Sequence, residues 1–140
     1  MEIKNGFVIL NRKWSDGDII QYNMNMQITV HPLPDNESCV AFKYGPWVLS
    51  ADMGNDNMKT DVTGVNVTIP MICDNMSDVL VIQNDTVENW LLNINHNLVK
   101  WENELKFTLK GTDRELIFSP HYKQHTNRYG IYFKCVMPNS

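Results

Sequence analysis

Alternation of apolar and polar side chains is the feature that most limits what this chain of 140 residues can fold into. In the stretch DIIQYNMNMQI, residues 18–28, almost every second residue is apolar. The same rhythm returns in stretches that centre on Phe42, Val67, Phe107 and Phe133. Because successive side chains of a strand point to opposite faces, this pattern predicts strands with one buried and one solvated face.

Turn-forming residues separate these stretches. Ser-Asp-Gly-Asp at residues 15–18 predicts a hairpin between the first two strands, and the prolines of residues 32–36 predict a break after Val30. Another turn is expected around Gly111. Many short strands with one solvated face and regular breaks predict an all-β chain, namely an antiparallel β-sandwich of jelly-roll type. We expect it to form a single domain over residues 1–140.

One stretch, TVENWLLNINHNLVKW at residues 86–101, fits two structures. Its large apolar residues recur at helical spacing: Trp90, Ile94, Leu98 and Trp101. Its many asparagines argue against a helix, because their side chains compete for backbone hydrogen bonds. We predict a strand over residues 87–94 and keep one short helix as the alternative.

Composition excludes several classes of protein. The formal net charge of −4 argues against nucleic acid and anionic membranes as partners. No apolar run approaches the roughly 20 residues that cross a bilayer, and the N-terminus lacks the features of a signal peptide. Cys39, Cys73 and Cys135 are odd in number and form no CxxC motif, so we expect buried, reduced thiols.

Polar chemistry is densest in SPHYKQHTNRYGIYFK, residues 119–134. His121 and His125 could meet across a turn as metal ligands, but the sequence selects no third ligand. Asp16 and Asp18 lie in a predicted turn, and neither a G-x-S-x-G motif nor a Gly-rich phosphate loop is present. We therefore predict no catalytic residue, no metal site and no cofactor.

The four tryptophans divide into two pairs. Trp14 and Trp47 stand among apolar strand residues, so we expect them in the core. Trp90 and Trp101 remain candidates for stacking on sugar rings, provided that they are exposed.

Two parts of the sequence resemble a known family. GFVILNRKWSDGDIIQYNMNM, followed by AFKYGPWVLSADMG, fits the pattern G-[YF]-x-x-[IL]-x-R-x-W-x-x-G-D with a later [YF]-G-P turn. ELIFSPHYKQHTNRYGIYF fits P-x-Y-x-x-H-x-x-R-Y followed by an aromatic pair. Together they resemble the non-catalytic C-terminal β-sandwich region of the bacterial β-L-arabinofuranosidase family of glycoside hydrolases, once catalogued as a domain of unknown function. The resemblance covers residues 6–54 and 87–136. The chain departs from the pattern at Trp47, where an aliphatic residue is usual, and at Phe133, where a tryptophan is expected.

The resemblance implies an accessory domain without the enzyme. Members of the family carry their chemistry in an upstream helical barrel, with a cysteine nucleophile and a zinc ion held by cysteines and a glutamate. The adjacent Cys-Cys pair of that site has no counterpart here. The expected partner is the parent's catalytic domain, in a bacterial protein that is cytoplasmic or secreted depending on what precedes this chain.

Family members also carry strands before the position of Gly6. Their absence would leave an open sheet edge, from which we predict a homodimer or higher assembly.

The residues that carry the resemblance also suggest two structural clamps. Arg12 can stack on Trp14 while it reaches the carboxylate of Asp18.

In the second clamp, His125, Arg128 and Tyr129 can supply donors to loop carbonyls. Replacing Arg128 with alanine should then lower the melting temperature by several degrees. The alternative function is a carbohydrate-binding module that uses surface aromatics, with a glycan as partner. A metal hydrolase built on His121 and His125 ranks last.

Overall fold

The computed structural model describes residues 1–55 and 77–139. The strands in chain order are β1 (Glu2–Lys4), β2 (Phe7–Ile9), β3 (Ile28–Leu33), β4 (Asn36–Tyr44), β5 (Trp47–Asp52), β6 (Val79–Val81), β7 (Leu98–Lys100), β8 (Phe107–Leu109), β9 (Ile117–Pro120), β10 (Tyr129–Gly130) and β11 (Phe133–Val136). The helices are α1 (Val87–Leu92), α2 (Ile94–Asn97) and a 3-10 turn (His121–Lys123). The alternating stretch around Val67, together with Cys73, lies outside the described residues.

The main sheet has the strand order β6-β11-β4-β5-β9-β8-β7, and β10 pairs with β5. Strand β3 lies along the opposite edge of β4 from β11, since Val40 pairs with Pro32 on one side and with Phe133 on the other. Neighbouring strands are antiparallel except for β6 and β11, which run parallel. The all-β, mainly antiparallel sandwich that alternation predicts is confirmed.

Strand β5 divides the main sheet into two halves. Its first residues pair with β4, and its later residues pair with β9. The ring of Phe118 on β9 lies 5.5 Å from that of Phe133 on β11 and 5.7 Å from that of Phe42 on β4. Because these contacts join strands of different halves, the two halves pack face to face. Each buried phenylalanine contributes about 2 kcal/mol to stability.

Helix α1 closes one side of this core and corrects the strand predicted over residues 87–94. The side chain of Thr86 accepts a hydrogen bond from the backbone N–H of Asn89, which caps the helix. The Asn93 side chain donates to the Asn89 carbonyl, so it supports the helix that asparagine was expected to oppose. Trp90 is only 1% exposed, and its indole N–H donates to the Lys110 carbonyl at 3.0 Å. The short helix that we kept as the alternative is correct.

The first alternating stretch is also not the strand that its pattern predicts. Residues 19–26 belong to no strand of the described chain, and the stretch enters the sheet only at Ile28. The only hairpin before it joins β1 to β2 through Asn5 and Gly6, both at positive φ. We call residues 1–27, which precede β3, the N-terminal arm.

Turn positions differ from prediction in two places. Residues 15–18 do form a turn, with Gly17 at a φ of +87°, but no strand flanks it. The chain reverses after Leu33 rather than after Val30, so Pro32 stands inside β3. A proline fits there because β3 pairs only with β4 among the described strands, and an edge strand can spare one N–H.

A side-chain amide fixes the start of β3. The Asn95 Oδ1 accepts a hydrogen bond from the Ile28 backbone N–H at 2.8 Å, and the Asn95 Nδ2 donates to the Ile28 carbonyl at 3.1 Å. Ile28 is buried, whereas residues 1–25 are all exposed. The arm therefore ends, and the packed body begins, at Ile28, which Asn95 of helix α2 fixes by these two hydrogen bonds.

Candidate functional site

A cleft of about 550 Å³ opens between the end of β7 and the loop that follows the 3-10 turn. We call it the Trp101 cleft. Its walls include Asp52, Trp101, Glu104, Gln124, His125 and Asn127. Its volume falls within the range of about 300–1,000 Å³ that is usual for small-molecule sites. The cleft is therefore large enough to hold a small ligand.

Polar side chains on one side of the cleft are fixed by hydrogen bonds. Asp52 ends β5, and its carboxylate accepts bonds from the Gly54 backbone N–H and the Asn127 Nδ2, each at 2.8 Å. The Gln124 Nε2 donates to the hydroxyl of buried Ser119 at 2.9 Å. These bonds hold both amide groups in one orientation before any ligand arrives.

The opposite wall is aromatic. Trp101 follows β7 and is 37% exposed, and its indole N–H donates to the Thr108 hydroxyl at 2.8 Å. The Lys106 ammonium lies 5.2 Å from the centre of the Trp101 ring and 2.9 Å from a carboxylate oxygen of Glu104. A second bond, from the Trp101 backbone N–H to the Lys106 carbonyl, closes the turn. The ring is therefore an exposed surface with a fixed orientation.

The other candidate for sugar stacking lies elsewhere. Trp90 is buried between α1 and the chain near Lys110, so it presents no surface on which a sugar could stack. The tryptophans expected in the core also differ from that expectation. Trp14 is 45% exposed, which makes its core assignment wrong, and residues 1–25 around it are exposed as well. Trp47 is half-buried against Tyr44 and Tyr122.

The first group of motif residues lies in the N-terminal arm, away from the cleft walls. The Arg12 guanidinium is 4.9 Å from the centre of the Trp14 ring and 3.0 Å from a carboxylate oxygen of Asp18. The same oxygen accepts a hydrogen bond from the Ser15 backbone N–H at 2.9 Å. The three side chains form one exposed cluster over the turn, and its structural role stays a prediction.

The second group of motif residues is split between different surroundings. His125 lines the cleft, and its ring makes no hydrogen bond within the described residues. Arg128 is buried, and its backbone N–H donates to the Gly54 carbonyl at 2.9 Å. Tyr129 is exposed, and its ring packs edge-on against the His121 ring with 4.5 Å between the two ring centres. The clamp of these three residues, with the effect of Arg128→Ala, stays a prediction.

Metal-binding groups do not converge in the described part of the chain. His121 lies 3.4 Å from the Ser50 hydroxyl, and no three His, Cys, Asp or Glu side chains are grouped as a metal site among residues 1–55 and 77–139. Cys135 is buried and Cys39 half-buried, and both are free thiols. Burial, with a smaller contribution from Cys39, raises the pKa of Cys135 from 9.0 to about 11.

Sequence reasoning found Trp101 and His125 but missed most of the cleft. Asp52 ends β5, whereas Gln124 and Asn127 lie in the loop after the 3-10 turn, at unspecified positions of the second motif. The dense polar stretch at residues 119–134 was the only signal that pointed towards this region. Within residues 1–55 and 77–139, no helix is long and apolar enough to cross a membrane.

A comparison with protein families places the chain. The family model DUF4986, described as a domain of unknown function, matches residues 29–135. The chain belongs to the DUF4986 family. The matched region of this DUF4986 protein contains the whole Trp101 cleft, whereas Arg12, Trp14 and Asp18 precede it. A comparison with curated proteins gives no match.

Proposed function

We propose that this DUF4986 protein is a non-catalytic accessory domain that packs against the catalytic region of a β-L-arabinofuranosidase-like glycoside hydrolase. The N-terminal arm is the observation that carries the proposal. Its large apolar side chains are exposed: Ile3, Phe7, Val8, Ile9, Leu10, Trp14, Ile19, Ile20, Tyr22 and Met24. A concentration of exposed apolar groups on this scale marks an interaction surface.

The pattern within the arm supports the same conclusion. Residues 18–28 alternate as a half-buried strand does, yet Ile20, Tyr22 and Met24 are between 64% and 71% exposed. An unpaired segment with one apolar face recruits a further partner to cover that face. The resemblance supplies the partner, because the related enzymes carry a helical barrel and additional strands directly before this position.

The chemistry of the cleft favours a non-catalytic role. Two carboxylates of the described residues line it, of which Asp52 accepts two hydrogen bonds and Glu104 is paired with Lys106. Paired groups of this kind are poor candidates for a general acid and base. The chain also lacks the Cys-Cys pair of the related enzymes. We expect the purified chain to release no sugar from β-L-arabinofuranosides, and turnover by the chain alone would contradict the non-catalytic assignment.

The docking of the arm can be tested with a variant of its apolar face. Ile20→Ser, Tyr22→Ser and Met24→Ser are combined in one chain, which is mixed with the catalytic barrel of a β-L-arabinofuranosidase-like enzyme, the proposed partner. We expect co-elution on a sizing column to be lost, because these side chains supply the docking face. The melting temperature of the isolated chain should stay within a degree or two, since all three side chains are exposed.

A matched control uses the residues between them. Gln21→Ser, Asn23→Ser and Asn25→Ser change the polar face of the same segment and should leave co-elution intact. Hydrogen exchange provides a second readout, because the amides of residues 19–26 should be protected in the complex only. Equal co-elution of both variants, or equally fast exchange of these amides with and without the barrel, would overturn the proposal.

A further inference from the structure

We propose that the Trp101 cleft binds a short, neutral saccharide. This inference goes beyond the accessory role and does not depend on the docking of the arm, since the cleft and the arm share no residue. The argument rests on the aromatic wall, the fixed polar groups and the charge balance of the cleft.

The aromatic wall provides a flat apolar surface. Trp101 lines the cleft and is 37% exposed as a residue, and the bond from its N–H to Thr108 holds its ring in place. A sugar ring carries C–H groups on one face and hydroxyl groups around its rim. An exposed indole next to polar groups therefore matches both the C–H face and the hydroxyl rim of a sugar. Tryptophan is enriched at other surfaces where apolar and solvated regions meet.

The polar groups are arranged for hydroxyl ligands. The side-chain amide of Gln124 donates one hydrogen bond to Ser119, and that of Asn127 donates one to Asp52. The Gln124 carbonyl oxygen is thereby held in place as an acceptor for hydroxyl groups. The Asn127 Oδ1 already accepts from the Thr126 hydroxyl at 3.4 Å and keeps a second lone pair for a ligand. His125 lines the same cleft, and its ring can donate to or accept from a hydroxyl.

The charges of the cleft balance, which favours an uncharged ligand. Among residues 1–55 and 77–139, Asp52 and Glu104 contribute two carboxylates to the cleft, and Lys106 and Lys123 contribute two ammonium groups. Glu104 and Lys106 neutralise each other at 2.9 Å. An anionic ligand such as a uronic acid, or a cationic amine, would find no excess of opposite charge. The geometry thus points to a neutral oligosaccharide rather than to an ion.

Calorimetry and amide NMR on the full chain test this inference. The probes are arabinotriose and xylotriose, both neutral, with trigalacturonate as an acidic comparison of similar size. We expect the neutral probes to shift the amide signals of Gln124, His125 and Asn127. We expect trigalacturonate to bind more weakly than at least one neutral probe.

Two tryptophan variants separate stacking from an effect on folding. Trp101→Ala should weaken saccharide binding by about 10-fold or more, because the stacking surface is removed. Trp14→Ala is the matched control, since Trp14 is similarly exposed at 45% and also lies close to a cation, yet does not line the cleft. Trp101→Phe keeps an aromatic face and should retain part of the affinity even if Trp101→Ala proves unstable.

Each outcome decides the question. Loss of binding in Trp101→Ala together with unchanged binding in Trp14→Ala supports the inference. Absence of binding by any neutral probe, equal effects of the two variants, or preference for trigalacturonate would overturn it. None of these results bears on the docking of the arm, which is measured by co-elution with the barrel.

Discussion

Trp90 lies within α1 and Trp101 directly follows β7, and the atoms around them give the two rings different roles. The buried Trp90 meets Gly111, whose backbone has a φ of +77°. A Cβ atom on Gly111 would lie 2.8 Å from the Trp90 Nε1, closer than real Cβ contacts. Gly111 is therefore required both by its backbone conformation and by the tryptophan beside it.

This double requirement predicts the cost of adding one methyl group. Gly111→Ala should lower the free energy of unfolding by about 2 kcal/mol or more, because strain at positive φ and the clash with Trp90 combine. Gly54→Ala is the control, since Gly54 has the same φ of +77° and no atom of the described residues lies within 4 Å of the added Cβ. It should cost about 1 kcal/mol. Equal losses in urea unfolding would show that the Trp90 contact adds nothing.

The buried thiol of Cys135 predicts a dependence of stability on alkaline pH. Burial raises its pKa from 9.0 to about 11 in the folded chain. Above pH 9 the unfolded thiol loses its proton while the folded one keeps it, so stability falls as the pH rises from 9 to 11. The loss attributable to this group is on the order of 2 kcal/mol. Comparison of wild type with Cys135→Ala isolates it, and parallel stability curves for the two would contradict the assignment.

Among the elements, α1 shows how capping outweighs an unfavourable composition. Asparagines at 93, 95 and 97 argued for a strand, because they compete for backbone bonds in isolation. In the fold they bond to the Asn89, Ile28 and Trp90 backbones respectively, and so bridge α1 and α2 to their surroundings. The Thr86 cap and the burial of Trp90 then decide for the helix.

The cap provides a test at this scale. Thr86→Ala should lower the free energy of unfolding by about 1 kcal/mol, because the Asn89 N–H loses the acceptor that lies 3.2 Å away. Thr86→Ser keeps the hydroxyl and should stay within a few tenths of a kcal/mol of wild type. A loss in Thr86→Ser as large as in Thr86→Ala would mean that the threonine methyl, not the cap, matters.

The elements also show how far the sequence predicts this fold. β8 and β11 coincide with alternating stretches because strands on both sides fix their register. Residues 19–26 alternate equally well, but pairing needs a neighbour, and pattern alone cannot supply one. The Asn5-Gly6 hairpin is different, because this dipeptide is a strong hairpin signal that was available in the sequence and overlooked. The cleft could not be predicted, since its walls meet only after β5, β7 and the loop after β9 have packed.

At the scale of the whole molecule, the DUF4986 protein consists of a packed body with an exposed arm in front of it. The family match begins at residue 29, one residue after the first buried position, Ile28. The division seen in burial thus coincides with the start of the matched region. The body carries the cleft, and the arm carries the exposed apolar surface.

An unpaired edge predicts the behaviour of the isolated chain. β3 pairs with β4 alone among the described strands, and residues 19–30 contain no charged side chain that would oppose pairing between two copies. We expect light scattering to show a homodimer or higher assembly. Thr29→Lys places a charge at an exposed position of β3 and should shift the chain towards the monomer. A wild-type monomer at high concentration would contradict the prediction.

The bidentate contact of Asn95 with Ile28 has a mechanical consequence. Because one side chain grips both polar backbone groups of the first β3 residue, tension on the arm passes into helix α2. We therefore expect tension on the arm not to break the β3–β4 hydrogen bonds one after another. We expect a partner that displaces the arm to rotate it about Ile28, while the sheet keeps its shape.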